Sequence, residues 1–182
     1  SCLEGRREGC ELRGGCLVQG ALRVSGIIAI DPAARGFAFA ISHDGVVLAV
    51  CGYGKTPGDV LRHLLPAPAA PSDAPAVHYT WVHETPQDYG RFAVAHEALE
   101  QLRATLDLLR AASAGRKERV TSYRPFAWKG NVPKPAHHGR TWDVLSAAEK
   151  ALLPDRPNRH GTYQHDVHDA VALFLFHVGR TG

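Results

Sequence analysis

Four acidic residues occupy positions where carboxylates can do chemistry as well as solvate a surface. Asp31 closes the apolar run Gly26-Ile-Ile-Ala-Ile-Asp-Pro, and Glu84 closes a second strand-like run at His83-Glu84-Thr85-Pro86. Asp166 and Asp169 stand at i and i+3 in His165-Asp-Val-His-Asp-Ala-Val-Ala-Leu-Phe-Leu-Phe, a spacing that puts both carboxylates on one helix face. Beyond Asp169 that helix is apolar nearly all round, which predicts an interior position. Taken singly, each acid has a plainer explanation. Asp31 can start an Asp-Pro turn, Glu84 can be a solvated strand end, and the pair can be first-turn acids favoured by the helix dipole. Together they can converge as an all-oxygen cluster, which suits hard cations such as magnesium or manganese and two-metal phosphoryl chemistry. His165 and His168 flank the pair, either as accessory metal ligands or proton-transfer groups, or as the polar face of a helix start.

The second constellation is basic. Arg110, Arg116, Lys117, Arg119, Arg124, Lys129, Lys134 and Arg140 face a single acid, Glu118, over the same stretch. That local excess exceeds the net charge of the whole chain, +3. Tyr123, Phe126 and Trp128 are interleaved with the bases. Such a stripe neutralises phosphates and makes binding steeply salt-dependent. Lys129 and Lys134 are the expected phosphate contacts, with Arg124 and Arg140 beside them. The alternative is that Trp128 packs in the core and the lysines are only solvated.

The elements that must carry these groups follow from periodicity and turn chemistry. Val24 to Ile30, Phe37 to Ser42 and Val46 to Cys51 read as strands, with His43-Asp44-Gly45 as a hairpin turn, since Gly accepts the positive φ a tight turn demands. Asp59 to Leu65 reads as a short helix, Pro66 to Pro75 as a loop and Ala76 to Val82 as a fourth strand. Phe92, Ala95, Leu99, Leu102, Leu106 and Leu109 recur at three and four, predicting a long amphipathic helix. Arg119 to Tyr123 is a fifth strand, Trp142 to Leu153 a helix capped by Thr141 or Asp143, and Asp166 to Val178 the last helix. The expected class is α/β: a mixed five-stranded sheet, three antiparallel strands then two parallel ones, flanked by helices.

Length and composition bound the rest. The chain has 182 residues, 45% of them hydrophobic, enough for one domain with a real core and too apolar for a disordered chain. Its apolar runs are too short to span a bilayer, so no membrane partner is expected. Residues 1–23 mix charges and glycines without apolar periodicity and are expected to form a poorly ordered leader, with the folded domain over 24–182. Arg6-Arg7 is followed by no apolar segment of a secretory signal. Cys2, Cys10 and Cys16 lack the spacing of a zinc knuckle, and a reduced, cytoplasmic protein is expected.

The motifs Ile27-Ile-Ala-Ile-Asp-Pro-Ala-Ala-Arg-Gly-Phe-Ala, His83-Glu84 and Asp166-Val-His-Asp169-Ala resemble those of the RuvC-like Holliday junction resolvases of the ribonuclease H superfamily, phage and prophage types above all. The resemblance covers about Val24 to Arg180. It implies a ribonuclease H-like fold in which Asp31, Glu84, Asp166 and Asp169 hold two magnesium ions, with manganese as a substitute. It further implies a homodimer that nicks two strands of branched DNA symmetrically and leaves ligatable 5′-phosphates, with the lysines after the fifth strand approaching the cleaved strand. Ala33 stands where the family usually has Gly, and Tyr89, five positions after Glu84, is the aromatic nearest the place of the family's junction-contacting residue. Two other readings stand beside this one: a ribonuclease H-type nuclease acting on RNA–DNA hybrids or RNA, and a nuclease-inactive DNA-binding module.

Overall fold

A computed structural model describes residues 25–33, 36–64, 78–85, 100, 103–104, 106–108, 111, 117–154 and 162–181. The proposed leader, the loop after residue 64 and Tyr89 lie outside the described residues. Five strands, β1 (Ser25–Ala33), β2 (Gly36–Ser42), β3 (Val50–Gly54), β4 (His78–Glu84) and β5 (Lys117–Tyr123), form one sheet in the order β3-β2-β1-β4-β5. β1, β2 and β3 pair antiparallel, whereas β4 and β5 are added parallel to β1 and to each other. The expected mixed sheet is thus present.

Alternation along the strands separates two apolar layers. Ile28, Ile30, Phe37, Phe39, Ile41, Tyr79 and Trp81 face one side, where they meet Val60 of α1 (Pro57–Leu61), Leu64 and Leu106. Ile27, Ala29, Ala38, Ala40 and Val82 face the other side and are covered by the last helix, α5 (Thr162–His177), through Val167 and residues 170–175. Alanine at 29, 38 and 40 keeps this face shallow, so the helix lies close to β1 and β2, and Val171, Leu173, Phe174 and Leu175 are all but inaccessible. Residues two apart on a strand share a face. Asp31 therefore follows Ala29, and Glu84 follows Val82, onto the α5 side of the sheet.

Several boundaries differ from expectation for local reasons. β1 continues through Asp31 to Ala33, because Asp31 still pairs with Ala38 and Pro32 with Phe37 of β2. The Asp44-Gly45 turn is present, with Gly45 at φ +77°, but β3 starts at Val50 and not at Val46. Asp44 Oδ1 accepts from the amides of Val46 (2.8 Å) and Val47 (2.9 Å), drawing those residues into the turn. α1 begins two residues early, at Pro57, where a Thr56–Asp59 capping box and proline in the first turn nucleate it. Of the long amphipathic helix, the described residues among 100–111 are helical and Leu106 is buried.

The stretch expected as one helix from Trp142 to Leu153 is two. α3 (Lys134–Val144) ends where Leu145 turns extended, and α4 (Ala147–Lys150) restarts behind Ser146, whose Oγ accepts from the Glu149 amide at 3.2 Å. The cap is therefore Ser146, and neither Thr141 nor Asp143, both of which lie inside α3. A short helix, α2 (Pro125–Lys129), precedes α3. α5 starts at Thr162, a turn before Asp166, so neither acid of the i, i+3 pair sits in the first turn. A simple helix-dipole role for that pair is excluded, because the dipole effect is concentrated in the terminal turn. No helix among the described residues is long and apolar enough to cross a membrane. Cys51 forms no disulfide among the described residues; burial pushes its thiol up to about 12, and Sγ donates to the Leu152 carbonyl at 3.3 Å.

Candidate active site

Register brings the first two acids together. Ile30 of β1 is aligned with His83 of β4, so the next residue on each strand, Asp31 and Glu84, leaves the same end of two adjacent parallel strands on the same face. α5 crosses that face and adds Asp166 and Asp169. Asp31 and Asp169 are 7% and 1% exposed, burial that a carboxylate tolerates only with compensation.

Part of that compensation is cationic and comes from the segment after β5. Lys129, the last residue of α2, places Nζ 2.8 Å from Glu84 Oε2 and 3.4 Å from Asp169 Oδ2. Lys134, at the start of α3, places Nζ 3.1 Å from the same Asp169 oxygen. The other Asp169 oxygen is 2.8 Å from His138 Nε2, on the inner face of α3. Asp169 is thus held by two ammonium groups and an imidazole.

Three of the acids differ accordingly in proton affinity. Burial raises the Asp31 carboxyl well above its ordinary value, and the negative charges of Asp169, Glu84 and Asp166 add to this, with Lys129 opposing. Burial also raises Asp166, against the pull of Lys134. Asp169 moves the other way: burial would raise it, but the His138 hydrogen bond and the two lysines hold it well below the usual carboxylate range. Lys129 is raised despite its burial, because Asp169, Asp31 and Glu84 all favour its charge. Carboxylates crowded in this way, two of them buried, favour a positive charge among them.

The donor set is all oxygen, which fits a hard divalent cation in chemistry and in charge. Among the described residues, no three His, Cys, Asp or Glu side chains stand together as a metal cage. Lys129 Nζ instead lies between Glu84 and Asp169.

The other expected site residues separate. His168 is 1% exposed, with its ring stacked on Trp142 at 6.1 Å and 5.4 Å from His138. Burial and the neighbouring His138 lower it to about 4, so it is neutral near pH 7. It fills the α3–α5 interface and does not lie on the polar helix face allowed for it in the sequence. His165 stacks on His138 at 5.4 Å. Arg124 and Arg140 are exposed. Trp128 is packed in the core while Lys129 and Lys134 are drawn to the acids, so the plain reading of this stretch holds for the tryptophan and not for the lysines. His138 is the residue that sequence reasoning missed. Its only signal was a His pair within a basic, weakly apolar stretch.

No protein-family model and no curated protein matches the chain. Solved structures do. RuvC of Thermus thermophilus, in complex with a Holliday junction substrate, superposes with a TM-score of 0.51 at 13% identity, covering 86% of this chain and 98% of that one. This chain has the RuvC fold. The fowlpox virus Holliday junction resolvase is also similar, with a TM-score of 0.47 and 11% identity over 85% of this chain and 98% of that one. In the RuvC-like sheet of this chain, Asp31 sits on the central strand, Glu84 on its parallel neighbour, and the acid pair on the helix that crosses both.

Proposed function

We propose that the protein is a magnesium-dependent, structure-selective DNA endonuclease that resolves four-way junctions by paired symmetric nicks. The observation that carries this reading is that Lys129 bridges Glu84 and Asp169, with Asp31 leaving the same end of the neighbouring strand, on a RuvC-like sheet. Asp31, Glu84, Asp166 and Asp169 would hold two magnesium ions, and manganese would substitute. When bound, the ions supply Lewis-acid charge to the phosphodiester and lower the pKa of attacking water.

The chain's own residues supply the rest. His138 fixes the rotamer of Asp169 and keeps that carboxylate ionised. Lys129 and Lys134 balance the acids in the free protein, and with cations held by those acids they would be available to phosphates of the bound strand. Arg124 and Arg140 extend the positive surface along the strand, with a salt dependence that grows with each phosphate engaged. Tyr89 is assigned to the junction itself. The active species is a homodimer, since two symmetric nicks require two sites, and it works in the cytoplasm.

The test is a substrate panel: labelled four-way junction, linear duplex and RNA–DNA hybrid, each with magnesium or with a chelator, beside Asp31→Asn. Nicking confined to the junction, dependent on magnesium and abolished by Asp31→Asn, is the expected result. Preferential cleavage of the hybrid would assign the chain to the RNA-directed branch. Binding without cleavage under any divalent cation would leave only a DNA-binding module.

A further inference from the structure

Next to the carboxylate cluster lies a cleft of about 220 Å³ whose walls include Phe126, Trp128, Lys129, His137, Arg140 and Phe176. We propose that this cleft is a base-binding subsite that takes one unstacked nucleobase of the DNA strand beside the phosphate at the carboxylates. The proposal rests on the junction-nuclease reading and extends it from backbone to base.

Four observations lead there. Lys129 belongs to both places, since its ammonium contacts Glu84 and Asp169 and also lies 4.4 Å from the Trp128 ring centroid. The cleft therefore shares one side chain with the acids. Its volume falls below the roughly 300–1,000 Å³ typical of pockets for drug-sized molecules, and suits a single flat heterocycle.

The lining is aromatic where stacking needs it. Phe126 is 67% exposed, a large apolar ring with no packing reason to face solvent. Exposed aromatics among basic residues are the usual platform for unpaired bases. Trp128 and His137 meet edge to face at 5.3 Å, and Trp128 Nε1 and His137 Nε2 are buried without a hydrogen-bond partner.

Charge selects the occupant. From Arg119 to Trp142 the chain carries Arg119, Arg124, Lys129, Lys134 and Arg140 and not one Asp or Glu. A polyanionic strand fits that surround better than a peptide or a second copy of this basic face does.

The experiment measures binding, so it needs no catalysis. The full chain, in chelator, is titrated by fluorescence anisotropy against four-way junctions bearing one abasic site at each nucleotide around the exchange point. One position is expected to weaken binding about 5- to 150-fold, the range for loss of one stacked base. Phe126→Ala is expected to weaken binding of the intact junction by a similar factor and to make that abasic site cost nothing further, while Phe126→Trp restores binding. Since Phe126 is exposed, its replacement leaves the core intact. Abasic sites tolerated everywhere, or a loss that simply adds to that of Phe126→Ala, overturns the subsite and leaves the nuclease reading standing. A flat abasic scan with an altered oligomeric state for Phe126→Ala assigns the cleft to a second copy. A chain that binds no junction overturns both readings.

Discussion

Replacing Asp31 with asparagine should stabilise the cation-free protein while abolishing its cleavage activity. The substitution is nearly isosteric and removes the charge most disfavoured by its surroundings: a 7% exposed carboxyl facing Asp169, Glu84 and Asp166. The sign follows from linkage. Because the folded state raises this carboxyl, the folded protein holds the proton more tightly than the unfolded chain does. Stability is thus lost as pH rises from the ordinary value near 4 through the raised folded one. At pH 7.5 in chelator, Asp31→Asn should gain about 0.5–2 kcal/mol, the usual size when a strained functional site is relieved. For a chain of this length that is roughly 1–8 °C in Tm. Asp143→Asn, at an exposed position of α3, should stay within about 0.5 kcal/mol and serves as the control. Two further readings sharpen the test. Below pH 4 the gain should vanish, because both states are then protonated in the native sequence. Saturating magnesium should stabilise the native protein, by about 2.7 kcal/mol at a hundredfold excess over Kd, and Asp31→Asn much less. Thermal unfolding followed by circular dichroism measures all of these. A variant less stable than the parent at pH 7.5, or a gain that persists undiminished at acid pH, would refute the assignment of Asp31 as a destabilised, cation-seeking carboxylate.

The remaining predictions concern the groups around it. Arg180→Met should cost about 2–4 kcal/mol, because it strands Glu149, 2% exposed and bound by both Arg180 nitrogens at 2.6 and 2.8 Å, beside the Leu48 and Ser146 amides. That ion pair holds Glu149 well below the usual carboxylate range, so its contribution is present above about pH 4.3 and fades on acidification; denaturant titrations at pH 7 and pH 3 should show the cost of the variant shrinking. His138→Ala should lower manganese affinity about 10- to 100-fold by titration calorimetry, and unchanged affinity would remove His138 from the support of the site. Lys134→Ala should weaken junction binding and reduce the slope of log K against log salt by about one, whereas an unaltered slope would take Lys134 off the phosphate backbone.

What could be read from the sequence divides along a physical line. The strands and the positions of Asp31 and Glu84 were legible, because a strand announces itself through apolar runs and turn residues and each of these acids stood at the end of such a run, while the Asp166–Asp169 pair showed only as an i, i+3 spacing ahead of an apolar helix. The mixed topology followed from the Asp44-Gly45 hairpin and from the helical stretches between later strands. The region from Arg124 to Val144 was not legible. α3 has little apolar periodicity, since its buried residues are His138 and Thr141, so nothing marked it as a helix facing the acids. For the same reason the contacts of Lys129 and Lys134 with Asp169 could not be foreseen: they depend on α2 and α3 folding back over α5. The break at Leu145-Ser146 was hidden because either side is a sound helix, and only the Ser146–Glu149 box separates them.

Mapping the products of a four-way junction asks most of the proposed activity. With each strand labelled in turn and magnesium present, two nicks should fall at symmetry-related positions on opposing strands, and ligase should seal the products without prior phosphorylation. Nicks on a single strand, products that ligase cannot seal, or equal cutting of linear duplex would contradict a symmetric junction resolvase.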